Sequence, residues 1–171
     1  MLSSVEGVQD LTLTTNGYLL PQKIQALKEA GLQRVTISLD TLDDAIFRQM
    51  NGRNFGTAKV LEGIEAAEKA GFSPLKINSV VQRGVNDHTI VELARHFKER
   101  GHIVRFVEYM DVGTLNRWNL ADVVPASEIV GMIDAELPLR AADPNYPGEV
   151  AVRYEYADGS GEIGVIASVT Q

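Results

Sequence analysis

Five polar side chains stand at alternate positions of four otherwise apolar segments of the sequence. They are two hydroxyls, an amide and two cations: Thr14, Ser38, Asn78, Lys76 and Arg105. Hydroxyls and amides can hydrogen-bond polar cofactor groups, whereas Lys76 and Arg105 can hold phosphate or carboxylate, the arginine through its planar fork. The residue types therefore indicate a site for an anionic small molecule.

The alternative for the two cations is a structural ion pair, because an unpaired buried charge is very costly. Asp40 and Glu108 are the carboxylates that could pair with Lys76 and Arg105. Spacing alone leaves ion pairing and ligand binding both open. For the two hydroxyl residues the alternative is plain strand preference, which is strong for Thr. No pair of a nucleophile and a base can be argued, so we assign no catalytic residue.

The elements that would position these side chains alternate between strand and helix patterns. Strands are predicted at 11–15, 34–39, 76–81 and 103–109, and helices at about 21–30, 43–50, 57–70 and 88–100. This alternation is typical of βαβ units and a parallel sheet. Four units cannot close a barrel, so the alternatives are a small open α/β sheet and part of a larger TIM-like (β/α) barrel. The polar strand faces favour the partial barrel, with the ligand at the carboxyl ends of the strands.

The pattern changes after Met110. A loop that contains Trp118 is followed by a short helix, capped by Ser127, and by an irregular stretch at 137–148. Alternating strands at 149–156 and 162–169 flank a turn sequence, which predicts a β-hairpin. We therefore divide the chain into a partial barrel at 1–111 and a C-terminal extension at 112–171.

Composition excludes several classes of function. The chain has 171 residues and a formal net charge of −7, which disfavours general binding to nucleic acid or to an anionic membrane. No apolar run approaches the length of a membrane span, and the first residues do not resemble a signal peptide, so we expect the cytoplasm. With no cysteine, thiolate metal sites are excluded. The three histidines lack a ligand spacing, so we predict no metal site and place them on helix or loop surfaces.

Six segments together carry a resemblance to a known family. They are LTTNG (Leu13–Gly17), ISLD (Ile37–Asp40), NGRNF (Asn51–Phe55), KINSVVQRGVND (Lys76–Asp87), RFVEYMDVG (Arg105–Gly113) and IGVIASVTQ (Ile163–Gln171). In this order and at this spacing they resemble the molybdenum-cofactor biosynthesis protein A family of radical S-adenosylmethionine (SAM) enzymes. RFVEYMDVG and the terminal SVTQ are much more specific to that family than TTNG is.

The resemblance implies a partial barrel of the radical SAM type, of which this chain holds the last four βα units. It implies that the parent protein converts GTP to a cyclic pyranopterin precursor, using SAM and two 4Fe-4S clusters. By motif position, Ser38 and Met110 would contact SAM. Lys76 and Arg105 would hold the GTP triphosphate. Thr14 would line the same pocket and is assigned to either ligand.

The chain departs from that family because the cysteines that hold both clusters are absent. We therefore expect it to be a truncated portion of the enzyme, inactive by itself. The alternatives are a non-catalytic nucleotide- or anion-binding barrel piece or partner protein, another radical SAM enzyme, and an ordinary phosphate-binding barrel enzyme. A sheet that lacks its preceding strands has an unpaired edge, which predicts a homodimer.

Overall fold

A single mixed sheet of seven strands forms the centre of the computed structural model, which describes residues 4–110 and 118–170. The strands are β1 (Thr12–Thr15), β2 (Arg34–Ser38), β3 (Lys76–Val81), β4 (Ile103–Glu108), β5 (Leu139–Ala142), β6 (Val152–Tyr156) and β7 (Glu162–Ile166). Their order across the sheet is β1-β2-β3-β4-β7-β6-β5. The first five strands in this order, β1-β2-β3-β4-β7, pair in parallel. The pairs β7–β6 and β6–β5 are antiparallel.

Five α-helices connect the strands within the described ranges. They are α1 (Leu20–Glu29), α2 (Asp44–Asn51), α3 (Thr57–Lys69), α4 (Ile90–Glu99) and α5 (Ala126–Asp134). Asp43 caps α2, because its carboxylate accepts the N–H groups of Ala45 at 2.8 Å and Ile46 at 3.0 Å. The alternation of parallel strands with helices confirms the predicted α/β class, and the open sheet is consistent with a partial TIM-like barrel.

The hydrophobic core lies between one face of the sheet and the helices. On β2, β3 and β4 every second residue faces the helices and is buried, as Val35 and Ile37 are on β2 and Val104 and Phe106 on β4. The intervening residues are polar or only partly buried, which is the period of two seen in the sequence. The sheet therefore has one apolar face against the helices and one polar face opposite.

A close backbone contact fixes the turn after β1 against α3. Gly17 has a positive φ of 79°, which glycine adopts without strain. A Cβ on Gly63 would lie 2.3 Å from the carbonyl oxygen of Gly17, so only glycine fits at this point of α3. The contact holds the Asn16-Gly17 turn at the end of the first strand.

Three expectations from the sequence are wrong. The stretch 137–148 is not wholly irregular, because β5 forms there by pairing with β6. Pro125, not Ser127, stands at the start of α5, where the carboxylate of Glu108 accepts the N–H of Ala126. His102 is buried instead of exposed, and its Nε2 lies 2.6 Å from the carboxylate of Glu68.

The expectations about the loop after Met110 and about pairing at the edge of the sheet stay predictions. The loop predicted after Met110 falls, at 111–117, outside the described residues, as do residues 1–3 and 171. Within the described ranges no helix is both long and apolar enough to cross a membrane. The free edge of β1 has no neighbouring strand in the part of the chain that the structure describes.

Candidate functional site

The register of the parallel strands places the polar residues beside one another. Thr36 on β2 is the partner of Lys76 on β3, and Asn78 is the partner of both Ser38 and Arg105. Partner residues on adjacent strands project from the same face of the sheet. The amide and the two cations predicted from the sequence therefore share the polar face.

A cavity of about 180 Å³ lies on this face. Three cations, three threonines and an amide are among its lining residues: Thr12, Thr14, Arg34, Val35, Thr36, Pro74, Lys76, Asn78, Arg105 and Tyr146. We call it the cationic cavity. It brings Thr14, Lys76 and Arg105 together, three of the five residues that the family resemblance assigned to SAM or GTP.

The cations that line the cationic cavity are not fully neutralised by nearby carboxylates. Burial, followed by the positive charges of Arg105 and Arg34, lowers the pKa of Lys76 below its usual range. Within residues 4–110 and 118–170, Lys76 makes no ion pair, and the buried Oδ1 atom of Asn78 has no hydrogen-bond partner. A bound anion would relieve the repulsion among the cations.

Neither of the two carboxylates considered as ion-pair partners fills that role. Asp40 accepts the N–H of Val80 at 2.8 Å, and burial raises the pKa of its carboxyl group. Glu108 binds backbone N–H groups instead. Among the described residues, the carboxylate that pairs with Arg105 is that of Glu149, whose Oε1 lies 3.9 Å from Nη2. Sequence reasoning did not identify this residue, because it lies at the start of a stretch interpreted only as a strand.

A second cavity, of about 560 Å³, lies at the carboxyl ends of β2, β3 and β4. It is mixed in character, with two methionines and one carboxyl group among its lining residues: Asp40, Gln49, Met50, Val80, Gln82, Val85, Tyr109 and Met110. Met110, predicted to contact SAM, is therefore separated from Thr14. Ser38 lines neither of these two cavities, but stands on the chain between Thr36 of the cationic cavity and Asp40 of the larger one.

Glu108 has a structural role that sequence reasoning did not predict, since it was considered only as a partner of the two cations. Its Oε2 accepts three successive backbone N–H groups, from Ser168 at 3.0 Å, Val169 at 2.8 Å and Thr170 at 3.0 Å. Burial favours a raised pKa for this carboxyl group. The hydrogen bonds from the Thr170 hydroxyl and from the backbone outweigh burial, and the net pKa is lowered. The residue therefore ties the segment after β7 to the end of β4.

No resident metal site is visible in this part of the protein. Among the described residues, no group of three or more His, Asp or Glu side chains could hold a metal ion. The whole sequence contains no cysteine, so these residues do not fit an iron–sulfur cluster, which thiolates normally ligate.

Fold and site thus define an α/β protein with an open, partial-barrel sheet and a cationic cavity on its polar face. A family model described as the Radical SAM superfamily matches residues 2–97, and one described as Molybdenum Cofactor Synthesis C matches residues 102–171. The chain belongs to the radical SAM superfamily.

Curated relatives align along nearly the whole chain. It is 53% identical over 171 residues to the GTP 3',8-cyclase of Acidothermus cellulolyticus, covering 100% of this chain and 47% of the relative. Over 169 residues it is 51% identical to the GTP 3',8-cyclase of Xanthomonas axonopodis pv. citri, covering 99% and 51%. It is 44% identical over 170 residues to the GTP 3',8-cyclase of Staphylococcus carnosus, an alignment that covers 99% of this chain and 50% of the relative. The chain spans about half the length of these relatives.

Proposed function

We propose that this chain is the core of a GTP 3',8-cyclase, an enzyme that converts GTP to a cyclic pyranopterin precursor in molybdenum cofactor biosynthesis. The observation that carries the proposal is the placement of Lys76 and Arg105 in one cavity. The identity to relatives named GTP 3',8-cyclase along the whole chain supports it. The partial barrel would end near residue 111 and the extension would begin at 112.

The cationic cavity would bind the triphosphate of GTP. The guanidinium of Arg105 can donate two parallel N–H bonds to one phosphate, and the Lys76 ammonium can act as a point charge on its neighbour. Thr14, on the edge strand, supplies a hydroxyl at the same cavity. A polyanion would also reverse the depression of the Lys76 pKa, because its charge favours the protonated amine.

The larger cavity would bind SAM, which supplies the radical precursor in this superfamily. The side chain of Met110 would contact it there, and Ser38, which stands on β2 between the two cavities, would approach it from the side of the cationic cavity. Of the two ligands to which Thr14 was assigned, its place in the cationic cavity favours GTP. The lining combines apolar groups with the Asp40 carboxyl, which suits a ligand that carries both a nucleoside and charged groups.

The chain by itself would bind anions without catalysing the reaction. The two 4Fe-4S clusters of the whole enzyme would be held by cysteines that this sequence does not contain. We also propose a cytoplasmic location and a homodimer paired along the free edge of β1, without a nucleic acid or membrane partner. Light scattering at micromolar concentration tests the dimer, and a monomeric mass would contradict it.

Calorimetric titration of GTP into the purified chain tests the substrate assignment. We expect Lys76→Ala and Arg105→Ala each to weaken binding about 10- to 100-fold, because each removes a charge-assisted hydrogen bond. Lys23→Ala is the matched control, since Lys23 is exposed on α1 and its loss changes the net charge equally. If GTP does not bind, or if the three variants behave alike, the assignment is wrong.

A further inference from the structure

The segment that joins β5 to β6 contacts the cationic cavity at two points. We call residues 143–150 the strap. Tyr146 is one of the residues that line the cavity, and Glu149 faces Arg105. The strap has its own hydrogen bonds: the N–H of Glu149 donates to the carbonyl of Tyr146 at 3.2 Å, and the N–H of Asn145 donates to Glu149 Oε2 at 2.7 Å. It is therefore an ordered turn that presents one carboxylate to the cavity.

The two oxygens of Glu149 have different partners. Oε2 closes the turn of the strap, whereas Oε1 lies 3.9 Å from Nη2 of Arg105. That distance is too long for an N–H···O hydrogen bond, so the contact is purely ionic. The side chain of Glu149 is only 3% exposed and that of Arg105 is 20% exposed. The carboxylate is thus buried beside Arg105, a residue of the cavity lining, while the donors of the guanidinium are not saturated by it.

We propose that Glu149 is an internal counter-anion for Arg105, which a bound polyanion displaces together with the strap. This inference rests on the proposed function, since it takes an anionic ligand at Lys76 and Arg105 as given. In the free chain, the carboxylate offsets one of the three cations that line the cavity. A phosphate on the Arg105 fork would lie against this carboxylate, and two like charges so close repel each other.

A polyphosphate wins this competition because it offers more than the carboxylate does. It can take two parallel hydrogen bonds from Arg105 and reach Lys76 at the same time. Lys76 has no ion pair within the described residues, so the ligand gains that contact without displacing anything. Glu149 competes with the advantage of an intramolecular group, which has a high effective concentration. Its removal should therefore tighten binding.

Calorimetric titration of sodium tripolyphosphate into the purified chain tests the inference. We expect Glu149→Gln to bind tripolyphosphate about two- to fivefold more tightly than the wild type, as suits the loss of one partly screened ion pair. Glu99→Gln is the matched control: Glu99 is exposed at the end of α4, and its substitution changes the net charge equally. This control should raise the affinity much less.

Hydrogen exchange supplies a readout that a general charge effect does not move. Saturation with tripolyphosphate should speed amide exchange in peptides that cover 143–150 of the wild type, because the Glu149 carboxylate, once displaced from Arg105, is no longer held in place to accept the Asn145 N–H. Unchanged or slower exchange in the strap of a liganded chain would overturn the inference. Glu149→Asp keeps the charge but shortens the side chain, and provides a second test if Glu149→Gln does not fold. It should also bind more tightly than the wild type.

The outcomes separate the inference from the proposed function. If the wild type binds tripolyphosphate and Lys76→Ala weakens that binding, but Glu149→Gln matches the wild type or binds more weakly, the strap does not compete and only this inference fails. If the wild type does not bind tripolyphosphate at all, the anion site itself is wrong and both fail.

Discussion

Glu108 binds Thr170 twice: its Oε2 accepts the backbone N–H at 3.0 Å, and its Oε1 accepts the side-chain hydroxyl. The same carboxylate accepts the N–H of Ala126 at 2.7 Å, where α5 begins. One fully buried side chain at the end of β4 thereby fixes both the start of a helix and the segment that follows β7.

Glu108→Gln should lower the free energy of unfolding by about 1.5–3 kcal/mol. The amide keeps the shape of the side chain but loses the charge, and one of its ends can no longer accept hydrogen bonds from buried N–H groups. Urea unfolding followed by circular dichroism measures the change. As a control, Glu136→Gln removes an exposed carboxylate that contacts Arg95 at 3.4 Å, and should change stability by less than about 0.5 kcal/mol. Equal effects of the two substitutions would contradict the role given to Glu108.

The same carboxylate should make the fold sensitive to acid. The folded chain lowers the pKa of Glu108, so its contribution to stability is complete above the unfolded pKa of about 4.3. That contribution is lost as the pH falls through the lower, folded value. The difference in unfolding free energy between the wild type and Glu108→Gln should therefore shrink below about pH 4.3. A difference that stays constant between pH 7 and pH 3 would argue against an ionised Glu108.

Lys76→Met should stabilise the free chain while it weakens anion binding. Burial and two neighbouring arginines lower the pKa of Lys76, so its charged form is less favourable in the folded chain than in the unfolded one. Replacement by an apolar side chain of similar length removes that cost, for a gain of about 0.5–1 kcal/mol. The stability of the wild type should approach that of Lys76→Met as the pH rises toward about 10.4, where the unfolded lysine also loses its proton.

Two experiments together check this trade-off. Thermal unfolding at pH 7 without ligand should give a higher midpoint for Lys76→Met than for the wild type. With excess tripolyphosphate the wild type should gain stability by mass action, whereas Lys76→Met should gain little. A variant that is less stable without ligand would show that Lys76 serves the fold and not the cavity.

Gly63→Ala should destabilise the chain even though alanine favours helices. The new Cβ would meet the carbonyl oxygen of Gly17 at 2.3 Å, and such overpacking costs about 1–3 kcal/mol. Gly131→Ala is the matched control, because Gly131 also lies in a helix but its Cβ would have no atom within 4 Å. That substitution should stabilise by about 0.5–1 kcal/mol. Opposite signs in urea unfolding are expected, and two stabilising substitutions would contradict the Gly17–Gly63 contact.

Local signals in the sequence were enough to predict the elements that carry their own pattern. The period of two in β2 and β4 came from residues that alternate between the core and the polar face, and the helix predicted at 43–50 begins where the Asp43 carboxylate caps it by short-range hydrogen bonds. The strand β5 has no such pattern, because Leu139–Ala142 are never fully buried and become a strand only through pairing with β6.

The candidate site was predictable in its residue types but not in its pairings. That Lys76 and Arg105 share a cavity follows from strand register, which parallel neighbours impose on alternating residues. Lys76 and Arg105 lie in a different cavity from Met110 because they stand at different heights along their strands. The sequence does not reveal these heights. Glu149 and His102 were missed or misplaced for a common reason: each has a partner more than thirty residues away.

The strand order has a consequence for synthesis of the protein. One edge of β4 pairs with β7, so that the partner of Val104 is Ile163, which is synthesised about 60 residues later. At roughly 5–20 residues per second, a ribosome takes several seconds to deliver that partner. During this interval the nascent chain exposes the unpaired edge of β4 with its apolar residues, which is the kind of surface that chaperones bind. Slowing translation between these two strands should therefore lower the yield of soluble chain more than slowing it elsewhere.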